Sequence, residues 1–164
     1  MSQQNVEIVR RMWGRLNAEA QSDLPSILVE FFDPEIEWHD APSLPGAAVY
    51  RGHEDLRRHI EDYLDAWADS VFQIEEISPV GDRVLARGRY VGVGQQSGMR
   101  LEDNVVLGVY DLRGGRILRL RQFVDESEAL KAVGLRERPS RGQRLCGFLW
   151  NLTGLRLDER LMSA

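Results

Sequence analysis

Apolar positions recur every three to four residues from the start of the chain. Val6, Val9, Trp13 and Leu16 share one helical stripe, with Glu7, Arg10 and Arg11 on other faces, which predicts a helix over residues 3–20. Asp23 is placed as the N-cap of a second helix with Pro25 in its first turn. Leu24, Ile27, Leu28 and Phe31 form its stripe, and Pro34 ends it. A short strand, Ile36 to Asp40, comes next. The stretch Ala41–Gly52 holds two Pro, two Gly and a run of small residues, so it reads as a long loop, a kind of segment that often carries function. A third helix over about residues 53–68 would bury Leu56, Ile60, Tyr63, Leu64 and Trp67.

The period then changes from helical to strand-like. Strands are predicted at 71–78, 83–94, 99–112 and 116–124, with turns at Pro79–Asp82, Gln95–Gly98 and Arg113–Gly115. Such short connections favour antiparallel hairpins. A last short helix begins near Asp125 and ends at Gly134. Helices first and an antiparallel sheet after them is the α+β pattern, and a curved sheet wrapped over three helices leaves a tapering interior that can hold a ligand. Residues 1–135 form this domain, and 136–164 change character. RERPSRGQR is basic and turn-rich, and LCGFLWNLTGLRLDERL is apolar and suits a helix docked on the domain or on a second subunit. Asp158 and Glu159 dilute the basic character that a membrane-surface helix needs.

Composition narrows the function. A chain of 164 residues, 43% hydrophobic, is one globular domain with one sizeable core. A net charge of −5, with Lys almost absent beside Arg, gives no general attraction to nucleic acid or to anionic membranes. Cys146 has no partner for a disulfide. The N-terminus lacks the apolar core of a signal peptide, and no apolar stretch approaches the ~20 residues of a membrane span. A cytoplasmic location is expected. His53 and His59 do not share a helix face and no carboxylate completes a ligand set, so no metal is expected. VGVGQQSG lies between strands with no helix behind it, so it reads as a β-turn, and no cofactor is expected.

Three segments, FFDPEIEWHD, YRGHEDLRRHI and GGRILRLRQFVDESEALKAVGL, together with the opening helix pair, resemble the SnoaL-like proteins over about residues 3–135. That superfamily includes nuclear transport factor 2, ketosteroid isomerase and limonene epoxide hydrolase. The resemblance implies a cone-shaped, cystatin-like α+β barrel. It also implies known chemistries that can be tried residue by residue. The general-base Asp of ketosteroid isomerases falls on Trp38, with His39 and Asp40 directly after it. The late catalytic Asp of limonene epoxide hydrolases falls on Gln122, and their Arg-x-Asp pair falls nearest Arg87-Gly88-Arg89 or Arg89-Tyr90-Val91, neither with an acid. The acid/base Asp of SnoaL cyclases falls nearest Asp125.

Each candidate has a structural role beside the chemical one. Asp125 and Glu128 spell a D-x-x-E capping box for the last helix. His39 and Asp40 are adjacent on a strand, so only one of them can point inward. Tyr50 could orient a ligand oxygen or pack over the core. Glu102 near Arg89 makes either an acid/base pair with its orienter or a cross-strand ion pair. Gln122 sits on an apolar strand face and needs a partner there. Trp13, Trp38 and Tyr63 are core rings that can also line a pocket. His53 caps its helix, and His59 is a structural histidine beside the apolar stripe.

The expectation is a cofactor-independent enzyme acting by proton transfer on a small hydrophobic, oxygenated molecule, in a cyclisation, isomerisation or hydration. His39 or Asp40 is the base, Glu102 or Asp125 the alternative acid/base, and Tyr50, Arg89 and Gln122 orient the substrate. The other reading is a non-catalytic ligand-binding or dimeric scaffold protein. Val105, Val106, Leu107 and Val109 make the sheet apolar on both faces. This predicts a covered outer face and, with the resemblance, a homodimer through it.

Overall fold

The computed structural model describes residues 2–101 and 104–135, so Glu102, Cys146 and the extension 136–164 lie outside the described residues. The two helices expected first are one element, α1 (Ser2–Phe31), bent at Asp23, whose backbone leaves the helical region at φ −143°, ψ 34°. Pro25, which has no N–H to donate, follows the bend. The Asp23 carboxylate goes to Arg15 at 3.2 Å. Val9, Met12, Trp13 and Leu16 before the bend, and Leu24, Ile27, Leu28 and Phe31 after it, are all buried.

After α1 come β1 (Phe32–His39), β2 (Val49–Arg51), α2 (Gly52–Ala66), β3 (Trp67–Val80) and β4 (Arg83–Gly94). The strand expected over 99–112 is divided into β5 (Arg100–Leu101) and β6 (Val105–Arg113), and β7 (Arg116–Phe123) leads into α3 (Glu126–Ala132). The order across the sheet is β2-β1-β7-β6-β4-β3, with β5 on β4. The hairpins are antiparallel as expected, but β1 runs parallel to β7, so the sheet is mixed. It curves over α1 and α2 without closing into a barrel. Fold and class are those expected from the sequence: α+β, with a core between helices and sheet.

The second apolar face has a local cause. Leu85, Leu107 and Val109 pack against Ala129 of α3 on the outer side of the sheet, with Phe123 and Val133 beside them. The closing helix thus covers the outer ends of those strands. Asp125 caps it, its Oδ1 accepting from Glu128 N at 3.0 Å and Ser127 Oγ at 2.9 Å.

Candidate functional site

A cavity of about 60 Å³ lies inside the cone. Trp13, Leu16 and Ala20 of α1 form one side, His59, Tyr63 and Leu64 of α2 another, and Trp38, Phe72 and Tyr90 of the sheet the floor. Ligand pockets commonly reach about 300–1,000 Å³. Here aromatic rings fill most of that room. Trp13 lies on Phe72 at 4.3 Å between centroids, and Trp38 and Tyr90 stand edge-on to Trp13 at 6.1 and 6.2 Å.

These rings are held in place by buried polar bonds. Trp13 Nε1–H donates to Tyr110 Oη at 2.7 Å. Asn17 clamps α1 to β3, donating to Phe72 O at 2.8 Å and accepting from Phe72 N at 2.9 Å. On β4, Gly88 leaves room for the Phe72 ring. A Cβ there would lie 2.6 Å from that ring and 2.4 Å from Gln73 O. Tyr63 Oη and Ser70 Oγ share a hydrogen bond of 2.5 Å.

One titratable pair meets the cavity. His59 lies on the inner side of α2, one residue before buried Ile60, and its Nε2 is 3.7 Å from Asp40 Oδ1 at the end of β1. That separation is an ion-pair distance, longer than a hydrogen bond. Burial lowers the His59 pKa, against the opposing pull of the Asp40 and Asp62 carboxylates. The imidazole is therefore neutral at neutral pH and can accept a proton. Tyr50, paired with Trp38 in the β1–β2 register, stacks on His59 at 3.9 Å. Burial raises the Tyr50 pKa, and Asp40 raises it further by charge and hydrogen bonding.

Two of the rings that line the cavity carry polar groups buried within the core. Trp38 Nε1 is buried and has no hydrogen-bond partner. Tyr90 Oη accepts from Gln122 Nε2 at 3.0 Å, and no acceptor takes its own hydrogen. Burial pushes the Tyr90 pKa well above the usual phenol value, so the hydroxyl keeps that hydrogen.

The predicted residues separate accordingly. Trp13, Trp38 and Tyr63 line the cavity, Asp40 and Tyr50 stand behind His59, and Gln122 reaches the cavity only through Tyr90. His39 is turned away. It bonds Glu37 at 3.2 Å on the outer face, where Arg119 also holds Glu37, because alternation puts Trp38 inside and both its neighbours outside. Arg89 is likewise outside, its Nε on Glu75 at 2.6 Å across the β3–β4 pair. Asp125 is the cap of α3 and is absent from the cavity wall. Glu102 lies outside the described residues. His53 does not cap α2 but bonds Phe32 O at 3.1 Å, tying the helix start to β1. His59 and Tyr90 are the members that sequence reasoning passed over. The available signal for His59 was its place at the edge of the Leu56, Ile60, Tyr63 stripe. Among the described residues no group of three or more His, Cys, Asp or Glu is placed to hold a metal, and no helix is long and apolar enough to cross a membrane.

The SnoaL-like domain family matches residues 9–120. An NTF2-like protein from Burkholderia thailandensis is 25% identical, with a TM-score of 0.62 over 73% of this chain and 88% of that one. A protein described as a SnoaL-like polyketide cyclase from Jannaschia is 19% identical, with a TM-score of 0.65 over 83% and 95%. TerC, co-crystallised with polyporic acid, is 16% identical, with a TM-score of 0.62 over 80% and 98%. No curated protein matches the sequence.

Proposed function

The chain belongs to the SnoaL-like domain family, and from that premise we propose that its cavity binds a small oxygenated, largely apolar molecule and moves a proton on it without a cofactor. The placement of His59 supports this. It is the neutral base on the wall of a largely apolar cavity, and Asp40 is positioned to oppose the charge that the imidazole gains. The proton leaves a carbon or hydroxyl of the ligand, rests on the imidazole, and returns to another position of the same molecule. Tyr50 keeps the ring from rotating. That TerC, on the same fold, was co-crystallised with polyporic acid supports an organic ligand here.

The test is exchange of hydrogens α to the carbonyl of small ketones in D2O, followed by NMR. Exchange faster than with an equal concentration of free imidazole, lost in His59→Gln and reduced in Asp40→Asn, supports acid/base catalysis. Binding without exchange moves the protein to the second reading, a ligand-binding module. The tight filling of the cone and the 3.7 Å gap between His59 and Asp40 favour that reading. A homodimer through the outer sheet face and a cytoplasmic location belong to the same proposal. A monomer mass in light scattering removes the first, and a membrane-bound or exported pool in fractionated cells removes the second.

A further inference from the structure

The closing helix covers only one end of the outer sheet face. Leu85 of β4 and Leu107 of β6 lie under α3. Alternation from them puts Val91 and Val93 of β4 and Val105 of β6 on the same face, and Val71 of β3 is the register partner of Val91. Val93 is 41% exposed, and none of these four valines joins either apolar cluster among the described residues. Arg87 and Arg89 stand between them and Leu85, and Glu75 holds both guanidinium groups. Strands that are apolar on both faces belong to a sheet that is covered on both.

The course of the chain points to the cover. At its end α3 reaches the start of β4, where Arg83 Nη1 donates to Ala132 O at 3.0 Å. Val133 shares a depression there with Val80, Asp82 and Asp111. The sequence after Leu135 has two parts. Residues 136–144 hold four Arg and one Glu. Leu145, Phe148, Leu149, Leu152 and Leu155 then recur every three to four residues, the spacing of one helical stripe. With six Arg against three acids, 136–164 is a basic segment on a chain of net charge −5, and it departs two residues after Val133, beside Asp82. Nine residues can span up to about 30 Å. From Arg83 to Val91 is roughly 26 Å of strand, so the apolar run reaches the valines of its own chain. The tether gives it an effective concentration on the order of millimolar there, ahead of a second copy.

We propose that residues 145–157 cover the outer sheet face of their own chain, with their leucines on Val71, Val91, Val93 and Val105. A homodimer through that face would then meet this segment and not bare strands. The inference is independent of what the inner cavity binds.

The experiment places a nitroxide on Cys146, the single cysteine, which lies off the leucine stripe, in the 15N-labelled full chain. Excess unlabelled, unmodified chain is added so that only broadening within one molecule is read. The Val71, Val91, Val93 and Val105 amides should lose most of their intensity relative to the reduced nitroxide. Leu149→Glu combined with Leu152→Glu should restore them, while Lys131 to Leu135, close along the chain, stay broadened. A second sample mixes spin-labelled 14N chain with 15N-labelled Cys146→Ser chain, which reads only contacts between copies, and its valine broadening should be weaker.

Valine amides that keep their intensity, broadening that survives the double substitution, or broadening centred on Gln21 and Gln95 at the depression beside the α1 bend would each overturn the proposal. So would valine broadening as strong between copies as within one, which would hand the face to the extension of a second copy.

Discussion

The strand β1 carries an aspartate near each end, and their surroundings differ. Asp33, near the start, is fully satisfied. Its two oxygens accept from Arg113 at 2.7 and 3.0 Å, and one also accepts from the Glu35 amide at 2.9 Å. The Arg113 guanidinium, then that amide, hold its carboxyl below the usual carboxylate range. Asp40, one residue past the other end, accepts from the Ala48 amide at 3.4 Å and faces His59 at 3.7 Å, with no Arg among the described residues beside it to match Arg113. The first arrangement is complete without any other molecule and serves the fold, fastening β1 to the end of β6. The second sets a carboxylate opposite a neutral imidazole at a distance longer than a hydrogen bond, an arrangement that a moving proton would complete.

The widest separation between the two ends should come from His59→Gln. It should lower proton-transfer rates about 10²- to 10⁴-fold. The fold should be intact by circular dichroism, and Asp40→Asn should fall between this variant and wild type. Asp33→Asn should do the opposite. The melting temperature should drop by several degrees as the bidentate bond to Arg113 is weakened, with turnover at 25 °C unchanged. If Asp33→Asn loses turnover in a fully folded protein, the division of the strand into a structural end and a chemical end fails.

Much of this contrast was legible before the structure, and the missing parts share a cause. The D-x-x-E cap at Asp125 and the strand turns are local, and the sequence pattern carries them, whereas the loop expected over Ala41–Gly52 ends in the short strand β2, which exists only through its pairing with β1. Alternation also shows that only one of His39 and Asp40 can point inward. Which one does so depends on the phase of β1, and that phase is reset by an irregularity between Phe32 and Glu37 where the strand meets β7. The β1–β7 contact is parallel and joins residues some eighty positions apart, so no local pattern reports it. His59 was hidden for a related reason. A histidine at the edge of an apolar stripe looks the same from sequence whether it meets core or cavity, and only the fold brings Asp40 to it.

The two ends should also govern stability in separate pH windows. The His59 pKa is lowered in the folded chain from its ordinary 6.5. On acidification below that value the unfolded chain takes up the proton first, so stability falls as the pH drops toward the folded pKa. Asp33 is also depressed, from 3.8. Its contribution is complete above that value and is lost as the pH falls through the lower, folded pKa. Urea midpoints measured from pH 7.5 to 3 should therefore decline in two stages. His59→Gln should flatten the upper stage and Asp33→Asn the lower. An upper stage unchanged in His59→Gln would mean that the imidazole is not held neutral by burial.

The smallest effect is the most discriminating, because it compares two tryptophans on one cavity. Trp13 and Trp38 are both buried, 6.1 Å apart, but only Trp13 has an acceptor for its N–H. Trp13→Phe loses ring volume and also leaves the buried Tyr110 hydroxyl without its donor. Trp38→Phe loses similar volume but removes an unpaired donor, and that relief offsets the cavity it leaves. Trp13→Phe should therefore be more destabilising than Trp38→Phe by about 1–3 kcal/mol in urea unfolding without ligand. Equal losses would mean that the Trp38 N–H is already satisfied in the empty protein, for instance by a bound water. The chemical end of β1 would then be as complete as the structural one.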